Sequence, residues 1–176
     1  KLNVTDGKVA AVLKSEYKKQ KGVVVTPSRI VQKVIDETLY PEVFESITFD
    51  EILKLKFVDP ACGSGVFLVH LFNRLYQKSI DVVPSNDDRL VCQKDSGSVL
   101  SLEAKRAIIR NCLYGVAIDA EAVEVTKMSL ALRVIDGYSP EYFESAGLYG
   151  DMILSGIGDN IKCGNSLVSS DIFETN

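Results

Sequence analysis

Apolar residues along this chain fall into two patterns, short unbroken runs and longer stretches with helical spacing. An unbroken apolar run bounded by turn residues is typical of a strand buried on both faces of a parallel sheet. Residues 113–119 match this pattern and are predicted to form the central strand, and shorter strands are predicted over residues 56–59 and 160–165. A helical pattern separates each predicted strand from the next, as connections between parallel strands require.

Five stretches place apolar residues on one side of a helix. The predicted helices cover residues 9–20, 27–40, 64–79, 101–111 and 121–136. Thr26 is the predicted N-cap of the second helix, with Pro27 at its first helical position. One side of the second helix carries Ile30, Val31, Val34, Ile35, Thr38 and Leu39. One side of the fifth carries Val125, Met128, Ser129, Leu132 and Ile135.

The order of these elements predicts an α/β fold. Strands alternating with helices imply right-handed crossovers and a parallel sheet. Residues 80–100 lose periodicity and collect Pro, Ser, Asn and Asp, so they are predicted to form a surface insertion. We expect residues 1–21 to form an N-terminal helical arm and residues 22–176 to form one domain.

Composition narrows the class of protein. A chain of 176 residues with 46% hydrophobic residues is the size of one folded domain, and its apolar stretches are too short to span a membrane. Four scattered cysteines and one histidine, without a C-x-x-C pair, argue against zinc and favour a reduced, cytoplasmic setting. No secretory signal is visible, and the start at Lys1 suggests a fragment boundary or a processed start.

The charge balance bears on nucleic-acid binding. The net charge is −4, whereas surfaces that grip DNA are usually basic because neutralising phosphates supplies much of the affinity. We therefore do not expect this segment to be a principal DNA-binding surface, although DNA contacts could lie in another domain of the same enzyme.

The loop at residues 59–65, Asp-Pro-Ala-Cys-Gly-Ser-Gly, carries the most specific chemistry. A strand that ends in a glycine loop and continues into a helix is how open α/β sheets hold ligands beyond the carboxyl ends of their strands. Gly63 and Gly65 let the backbone approach a ligand closely. An acid at the strand end, followed by bare backbone, suits a ligand that carries both an ammonium and a carboxylate group.

Two other glycine-loop chemistries fit poorly. The loop lacks the Lys and Ser/Thr that a P-loop uses to hold phosphates. Leu68 stands at the third glycine of a dinucleotide G-x-G-x-x-G motif, and the next strand-end acid comes far more than about 20 residues later. A nicotinamide-dependent oxidoreductase is therefore disfavoured.

Residues 59–65 resemble the S-adenosylmethionine loop of adenine-N6 DNA methyltransferases from restriction–modification systems, of the type I or type IIG kind. Three more segments resemble this family in the same order, namely residues 22–27, 115–119 and 163–167. The resemblance implies a three-layer, Rossmann-like methyltransferase fold. It also implies S-adenosylmethionine as the cofactor and methyl transfer to adenine in DNA.

The resemblance also implies roles for particular residues. Thr26 would donate to the cofactor carboxylate, Asp59 would pair with its ammonium group, and Asn165 would meet the adenine. The cofactor-binding residues so implied are Thr26, Asp59, Ala61, Gly63, Gly65, Ile118, Asp119 and Asn165.

The second strand departs from the family pattern at its end. The family usually places an acid that binds the ribose hydroxyls at the position of Ala117. Asp119 lies two residues further on and could take over that role, or it could cap the following helix. Both interpretations stay open from the sequence, and the departure makes tight cofactor binding less certain.

The family's catalytic motif is a small polar residue followed by Pro-Pro and an aromatic residue. No Pro-Pro occurs in the chain, so no catalytic residue is assigned and the segment alone is expected to be inactive. Double-stranded DNA would be bound through regions outside this chain, with a possible specificity or nuclease domain or subunit and no membrane. The alternatives are a non-catalytic Rossmann-like binding or scaffold module and an RNA or protein methyltransferase.

Overall fold

A computed structural model of the chain describes residues 2–5, 8–11, 26–39, 46–84, 86–94, 97–145, 156 and 158–168. The described elements are, in chain order, β1 (Leu2–Thr5), β2 (Lys8–Ala11), α1 (Ser28–Thr38), α2 (Phe49–Ile52), β3 (Phe57–Asp59), α3 (Val66–Val82), β4 (Val91–Lys94), β5 (Gly97–Leu100), α4 (Leu102–Cys112), β6 (Leu113–Ala117), α5 (Ala120–Ile135), α6 (Pro140–Ser145) and β7 (Ile161–Cys163).

The three predicted strands form one parallel sheet in the order β3–β6–β7. Asp59 lies opposite Gly115, and Ala117 lies opposite Cys163, so the three carboxyl ends share one edge. Two successive right-handed crossovers in the same direction place α3, α4 and α5 on one face of the sheet. The predicted α/β class with a parallel sheet is confirmed.

The central strand β6 shows how closely the helices pack on this face. Leu113 and Ala117 are buried, and Gly115 lies between them. A Cβ added to Gly115 would lie 2.8 Å from Leu68 Cδ1 and 3.0 Å from Cys62 Sγ. Glycine is therefore required at this point of the strand, because α3 and its preceding loop occupy the space that a side chain would need.

Helix α1 differs from the prediction at its start and in the width of its buried face. Pro27, rather than Thr26, is the N-cap residue, and no side chain caps the helix. The extended ψ of 137° at Pro27 explains the shift, since the first helical residue is then Ser28. Only part of the predicted apolar face is buried: Val31, Ile35 and Leu39 lie in the core, and Ile30 and Val34 are exposed.

Helix α5 buries a different side from the one singled out by its sequence. Val125, Met128 and Leu132 are exposed, with Met128 at 68% of its full accessibility. The buried side consists of Val123, Thr126, Leu130, Ala131 and Val134. The helix is apolar on two sides, and its packing against α3, α4 and the sheet selects the second of them.

The N-terminal prediction of a helix over residues 9–20 is wrong where the structure describes it. Lys8–Ala11 is a strand paired antiparallel with Leu2–Thr5. Asp-Gly, the dipeptide at positions 6 and 7, is a strong sequence signal for a two-residue hairpin loop. Residues 12–20 of the predicted helix, and the extended segment predicted at 23–25, lie outside the described residues.

The insertion predicted at residues 80–100 is not merely a surface excursion. Helix α3 continues to Val82, and β4 pairs antiparallel with β5. Val91 and Leu100 are buried, and the Tyr138 hydroxyl donates to the Leu100 carbonyl oxygen at 2.9 Å. The hairpin is therefore part of the core.

A buried lysine joins α4 to the end of α5. Lys105 Nζ donates to the carbonyl oxygens of Asp136 at 2.6 Å and Val134 at 3.3 Å, and it lies 4.9 Å from the Tyr138 ring centroid. A cation is favourable at the negative end of a helix dipole, which explains why this ammonium group is tolerated in the interior. None of the helices in the described ranges is both long and apolar enough to cross a membrane.

Candidate cofactor site at the strand ends

The carboxyl ends of β3, β6 and β7 are joined to one another by backbone hydrogen bonds. The Cys62 amide in the loop after β3 donates to the Val116 carbonyl oxygen at 2.9 Å. The Gly164 amide after β7 donates to the Ala117 carbonyl oxygen at 3.0 Å. The three segments predicted to meet a ligand at this edge are therefore held side by side.

The loop after β3 has a defined backbone conformation that two glycines make possible. Asp59 Oδ1 accepts from the Ala61 amide at 3.0 Å, which closes the first turn. The Gly65 amide then donates to the Cys62 carbonyl oxygen at 2.8 Å. Gly63 and Gly65 have φ values of +52° and +81°, in the left-handed region that other residues rarely adopt.

Thr126 of α5 holds this loop from below, and the sequence analysis did not identify it. Its side chain is fully buried, and Oγ1 lies 2.9 Å from the Gly63 carbonyl oxygen and 3.0 Å from that of Ala122, so one hydroxyl proton is shared between them. A Cβ added to Gly65 would lie 2.6 Å from Thr126 Cγ2. No sequence signal indicated this contact, because the periodicity singled out the opposite side of α5.

The helix termini near the loop differ from those elsewhere in how they are capped. Side chains cap α2, α4 and α5 at Thr48, Ser101 and Asp119. Gly65, the N-cap of α3, has no side chain, and Pro27 makes no side-chain cap of α1. The first amides of α3 therefore lack a side-chain acceptor, and such amides suit a negatively charged ligand group.

Cys62 lies inside the loop as a neutral side chain. Burial raises the pKa of the Cys62 thiol, and the charge of the nearby Asp59 carboxylate raises it further. A raised thiol pKa keeps the group protonated at neutral pH, which disfavours a nucleophilic role.

The end of β6 offers no carboxylate at its tip. Ala117 is the last residue of the strand and is only 5% exposed, whereas Ile118 after it is 77% exposed. Asp119 is the N-cap of α5, and its Oδ1 accepts from the Glu121 amide at 3.0 Å. The capping role considered for Asp119 is therefore present.

The end of β7 continues into a tight turn. Asn165 Oδ1 accepts from the Leu167 amide at 3.0 Å, so the side-chain oxygen is engaged within the turn. Leu167 is 90% exposed. With Ile118 on the neighbouring strand end, it presents apolar surface at the edge where an adenine ring was predicted.

Thr26 is the one predicted residue that the structure does not tie to this group. It is half-buried just before α1, and α1 packs against α3. Among the residues that the structure describes, no hydrogen bond joins Thr26 to the loop at 59–65. Its predicted role depends on the position of α1 alone.

Two cavities flank the loop. One of about 420 Å³ lies between α1, β3 and α3 and reaches Asp59 and Pro60. The other, of about 720 Å³, lies between α3 and the end of α5 and reaches Ser64. Across the described ranges, no three His, Cys, Asp or Glu side chains are grouped as a metal site.

Comparison with protein-family models gives a match over residues 46–170, to the family described as MmeI, DNA-methyltransferase domain. The matched residues include the loop after β3 and the ends of β6 and β7. They exclude Thr26 and the hairpin of β1 and β2.

Curated relatives agree with this match. The type II restriction enzyme and methyltransferase RM.Eco57I of Escherichia coli is 35% identical over 162 residues, which is 88% of this chain and 16% of that protein. The putative type II restriction enzyme and methyltransferase RM.MjaORFECS2P of Methanocaldococcus jannaschii is 35% identical over 119 residues, 68% of this chain and 9% of that protein.

A third relative has lower sequence identity. The adenine-specific methyltransferase PglX of Streptomyces coelicolor is 26% identical over 141 residues, which is 80% of this chain and 10% of that protein. The chain thus spans less than a fifth of the length of each of these three relatives.

Proposed function

The chain belongs to the MmeI DNA-methyltransferase domain family, and from this premise we propose that it is the cofactor-binding part of a site-specific adenine-N6 DNA methyltransferase of a restriction–modification enzyme. Residues 22–176 would form the S-adenosylmethionine-binding part of the domain. Two relatives are described as restriction enzymes and methyltransferases, and a third as adenine-specific, which supports this class of reaction.

One observation carries the proposal. The loop at 59–65, with two glycines in the left-handed region, lies at the carboxyl edge of three adjacent parallel strands, and it is held there by Thr126 and by the Cys62–Val116 hydrogen bond. In open α/β sheets, this edge is where nucleotide-like ligands bind. The loop therefore has the position and rigidity that a nucleoside cofactor requires.

The methionine end of the cofactor has complementary partners in the loop. Asp59 uses Oδ1 to hold the Ala61 amide, and we assign its second oxygen to the ammonium group of the cofactor. The first amides of α3, which follow the side-chain-free N-cap Gly65, are assigned to the carboxylate. Thr26, before α1, is assigned to the same carboxylate.

The nucleoside end would lie across the tips of β6 and β7. Ile118 and Leu167 offer exposed apolar surface on which an adenine ring can pack. Asn165 is assigned to the polar edge of the ring through its amide NH₂, because its oxygen is engaged with Leu167. Asp119 follows Ile118 at this end of β6, with its Oδ1 engaged as the cap of α5.

S-adenosylmethionine, when bound, supplies the methyl group. A DNA adenine would have to leave the duplex to reach it, since base-modifying enzymes act on flipped bases. The 176 residues contain no Pro-Pro, and their net charge is −4. We therefore assign the catalytic motif and the main DNA contacts to regions outside this chain, and we expect the chain alone to bind cofactor without transferring methyl.

A dinucleotide cofactor fits the loop less well. Leu68, at the place of a third glycine, is buried and packs where a Cβ on Gly115 would stand. In dinucleotide-binding folds that glycine allows close approach of helix and strand. In this chain the glycine lies in the strand, at Gly115, and the side chain packed against it is Leu68 of the helix. This is the reverse of the dinucleotide-binding arrangement, in which the helix carries the glycine.

A second candidate is a non-catalytic module that keeps the fold and has lost cofactor affinity. The observation that favours it is Ala117, a methyl group at the strand end where nucleotide-binding folds commonly place an acid.

Calorimetric titration of the full-length gene product separates these candidates. We expect S-adenosylmethionine and S-adenosylhomocysteine to bind, and NAD not to bind. Asp59→Asn keeps the acceptor for the Ala61 amide and removes the charge, so affinity should fall about tenfold or more, as expected for a charge-assisted hydrogen bond. Asp81→Asn, at an exposed aspartate on α3, is the matched control and should leave affinity unchanged.

Each other result has a clear meaning. Binding of NAD in preference to the sulfonium nucleoside would refute the proposal. If none of the ligands binds, the non-catalytic module is favoured. If Asp59→Asn lowers the affinity no more than Asp81→Asn does, Asp59 does not contact the cofactor.

A further inference from the structure

The strand ends β3 and β6 differ in the chemistry they present to a nucleoside. The β3 end carries the Asp59 carboxylate, whereas the β6 end carries the Ala117 methyl group. Ala117 is the central position of the edge, between the loop after β3 and the tip of β7. A ribose lying across this edge would be expected over it.

A ribose presents two hydroxyl donors, which a carboxylate can accept together. A methyl group can accept neither. The carbonyl oxygens of Val116 and Ala117 each already accept one backbone hydrogen bond, from Cys62 and Gly164 respectively. The tip of β6 therefore has no side-chain acceptor for the sugar.

Asp119 is the next acid along the chain, but one of its two carboxylate oxygens is engaged by the following helix. It is the N-cap of α5, and Oδ1 accepts from the Glu121 amide. Between Ala117 and Asp119, the exposed residue at this end of the strand is Ile118, at 77% of its full accessibility. Leaving the cap to reach a ribose would expose the first amides of α5.

We propose that this site does not read the ribose hydroxyls, and that it holds its nucleoside by the amino-acid end and the adenine alone. The inference rests on the proposed binding of S-adenosylmethionine. It implies that the site accepts nucleosides lacking the 2′- or 3′-hydroxyl about as well as the ribose form. Position 117 then determines this specificity.

The test compares three ligands by calorimetry on the full-length gene product: S-adenosylhomocysteine and its 2′-deoxy and 3′-deoxy analogues. We expect the three dissociation constants to agree within about threefold, because no charge-assisted hydrogen bond is lost with either hydroxyl. If S-adenosylhomocysteine binds about tenfold or more tightly than either analogue, the inference is wrong and the proposed function stands. If none of the three binds, the proposed function fails, and the inference fails with it.

Substitutions at position 117 test whether this residue sets the preference between the ribose and deoxy ligands. Ala117→Asp, or Ala117→Glu with its longer reach, should tighten S-adenosylhomocysteine about tenfold and leave the deoxy analogues unchanged, creating a preference that the natural chain lacks. Ala117→Asn adds similar bulk without charge and is the control. Because Ala117 is buried, thermal unfolding without ligand identifies variants that lose the fold. If the substituted proteins do not fold, the ratio of the dissociation constants for the deoxy and ribose ligands in the natural protein decides the question.

Asp119→Asn tests the competing explanation. Asparagine caps helices about as well as aspartate, so the fold should persist. We expect the ratio between ribose and deoxy ligands to stay unchanged. A loss of affinity confined to S-adenosylhomocysteine would show that Asp119 binds the sugar, which overturns the inference.

Discussion

The ends of β3 and β6 are neighbours in the sheet but are built differently. The end of β3 consists of an acid, two glycines in the left-handed region and the start of a helix without a side-chain cap. Thr126 of α5 holds this loop through a hydrogen bond to the Gly63 carbonyl oxygen. At β6, an alanine, an exposed isoleucine and an aspartate that serves its own helix follow one another. For the proposed cofactor site, the difference predicts that affinity for the nucleoside is concentrated at its amino-acid end.

The largest predicted effect breaks the β3 side of this comparison. Gly65→Ala places a Cβ 2.6 Å from Thr126 Cγ2 at a φ of +81°. The variant should lose about 2–4 kcal/mol of unfolding free energy, from backbone strain and overpacking together. Its affinity for S-adenosylhomocysteine should fall by more than about tenfold, measured by calorimetry beside thermal unfolding.

Gly137→Ala is the matched control for this substitution. Gly137 has a φ of +82°, and a Cβ there meets nothing within 4 Å. It should cost only the backbone strain of about 1 kcal/mol and leave cofactor affinity unchanged. Equal losses of affinity in the two variants would show that the conformation of the loop at 59–65 does not determine cofactor affinity.

A smaller effect tests the contact from α5 to the loop. Thr126→Val keeps the shape of the side chain and removes the donor to the Gly63 carbonyl oxygen. We expect a loss of about 1–2 kcal/mol in unfolding free energy and a fall in cofactor affinity of about threefold or more. Denaturant titration and calorimetry measure the two quantities.

Ser129→Ala is the internal reference for Thr126→Val. Ser129 Oγ also donates to a carbonyl four residues back, at 2.7 Å to Val125, but from the outer side of α5. Its removal should change stability by no more than about 0.5 kcal/mol. If both variants behave alike, the hydroxyl of Thr126 contributes only to its own helix.

The third prediction concerns the rates at which the cysteine thiols near the strand ends are alkylated. Cys163, at the tip of β7, is exposed, whereas burial and the Asp59 charge raise the pKa of Cys62. Since only the thiolate reacts, a raised pKa lowers the reactive fraction at any pH below it. At pH 8 we expect iodoacetamide to label Cys163 first, with Cys62 slower by about tenfold or more.

Raising the pH should narrow this gap, because the Cys62 thiolate fraction grows until the pH passes its raised pKa. Cys112, whose pKa burial raises to about 11, should stay slowest of the three and marks global unfolding when it reacts. Mass spectrometry of the labelled peptides follows each site. Faster labelling at Cys62 than at Cys163 would contradict the described packing of the loop.

The sequence was sufficient to predict the sheet and its loop, because the signals are local. The long apolar run at 113–119 locates the central strand, short segments before Asp59 and Gly164 locate its neighbours, and the glycines locate the loop. The buried side of α5 could not be predicted in this way. Both sides of that helix are apolar, and the contact of Thr126 with Gly63 joins residues far apart in sequence.

The two hairpins illustrate a different shortfall. The β1–β2 hairpin had a local signal, Asp-Gly at positions 6 and 7, that helical periodicity after Val9 obscured. The β4–β5 hairpin lacked periodicity, and its place in the core depends on distant partners such as Tyr138. Of the predicted site, the strand-end residues were brought together, while the roles assigned to them remain proposals.

Hydrogen exchange with and without S-adenosylhomocysteine, read by mass spectrometry on the full-length gene product, tests most directly where the cofactor lies. Slower exchange is predicted in residues 57–66, 117–121 and 163–168, strongest in the first of these, with no change in the hairpin at 91–100. Ligand binding that leaves residues 57–66 unprotected would contradict the account.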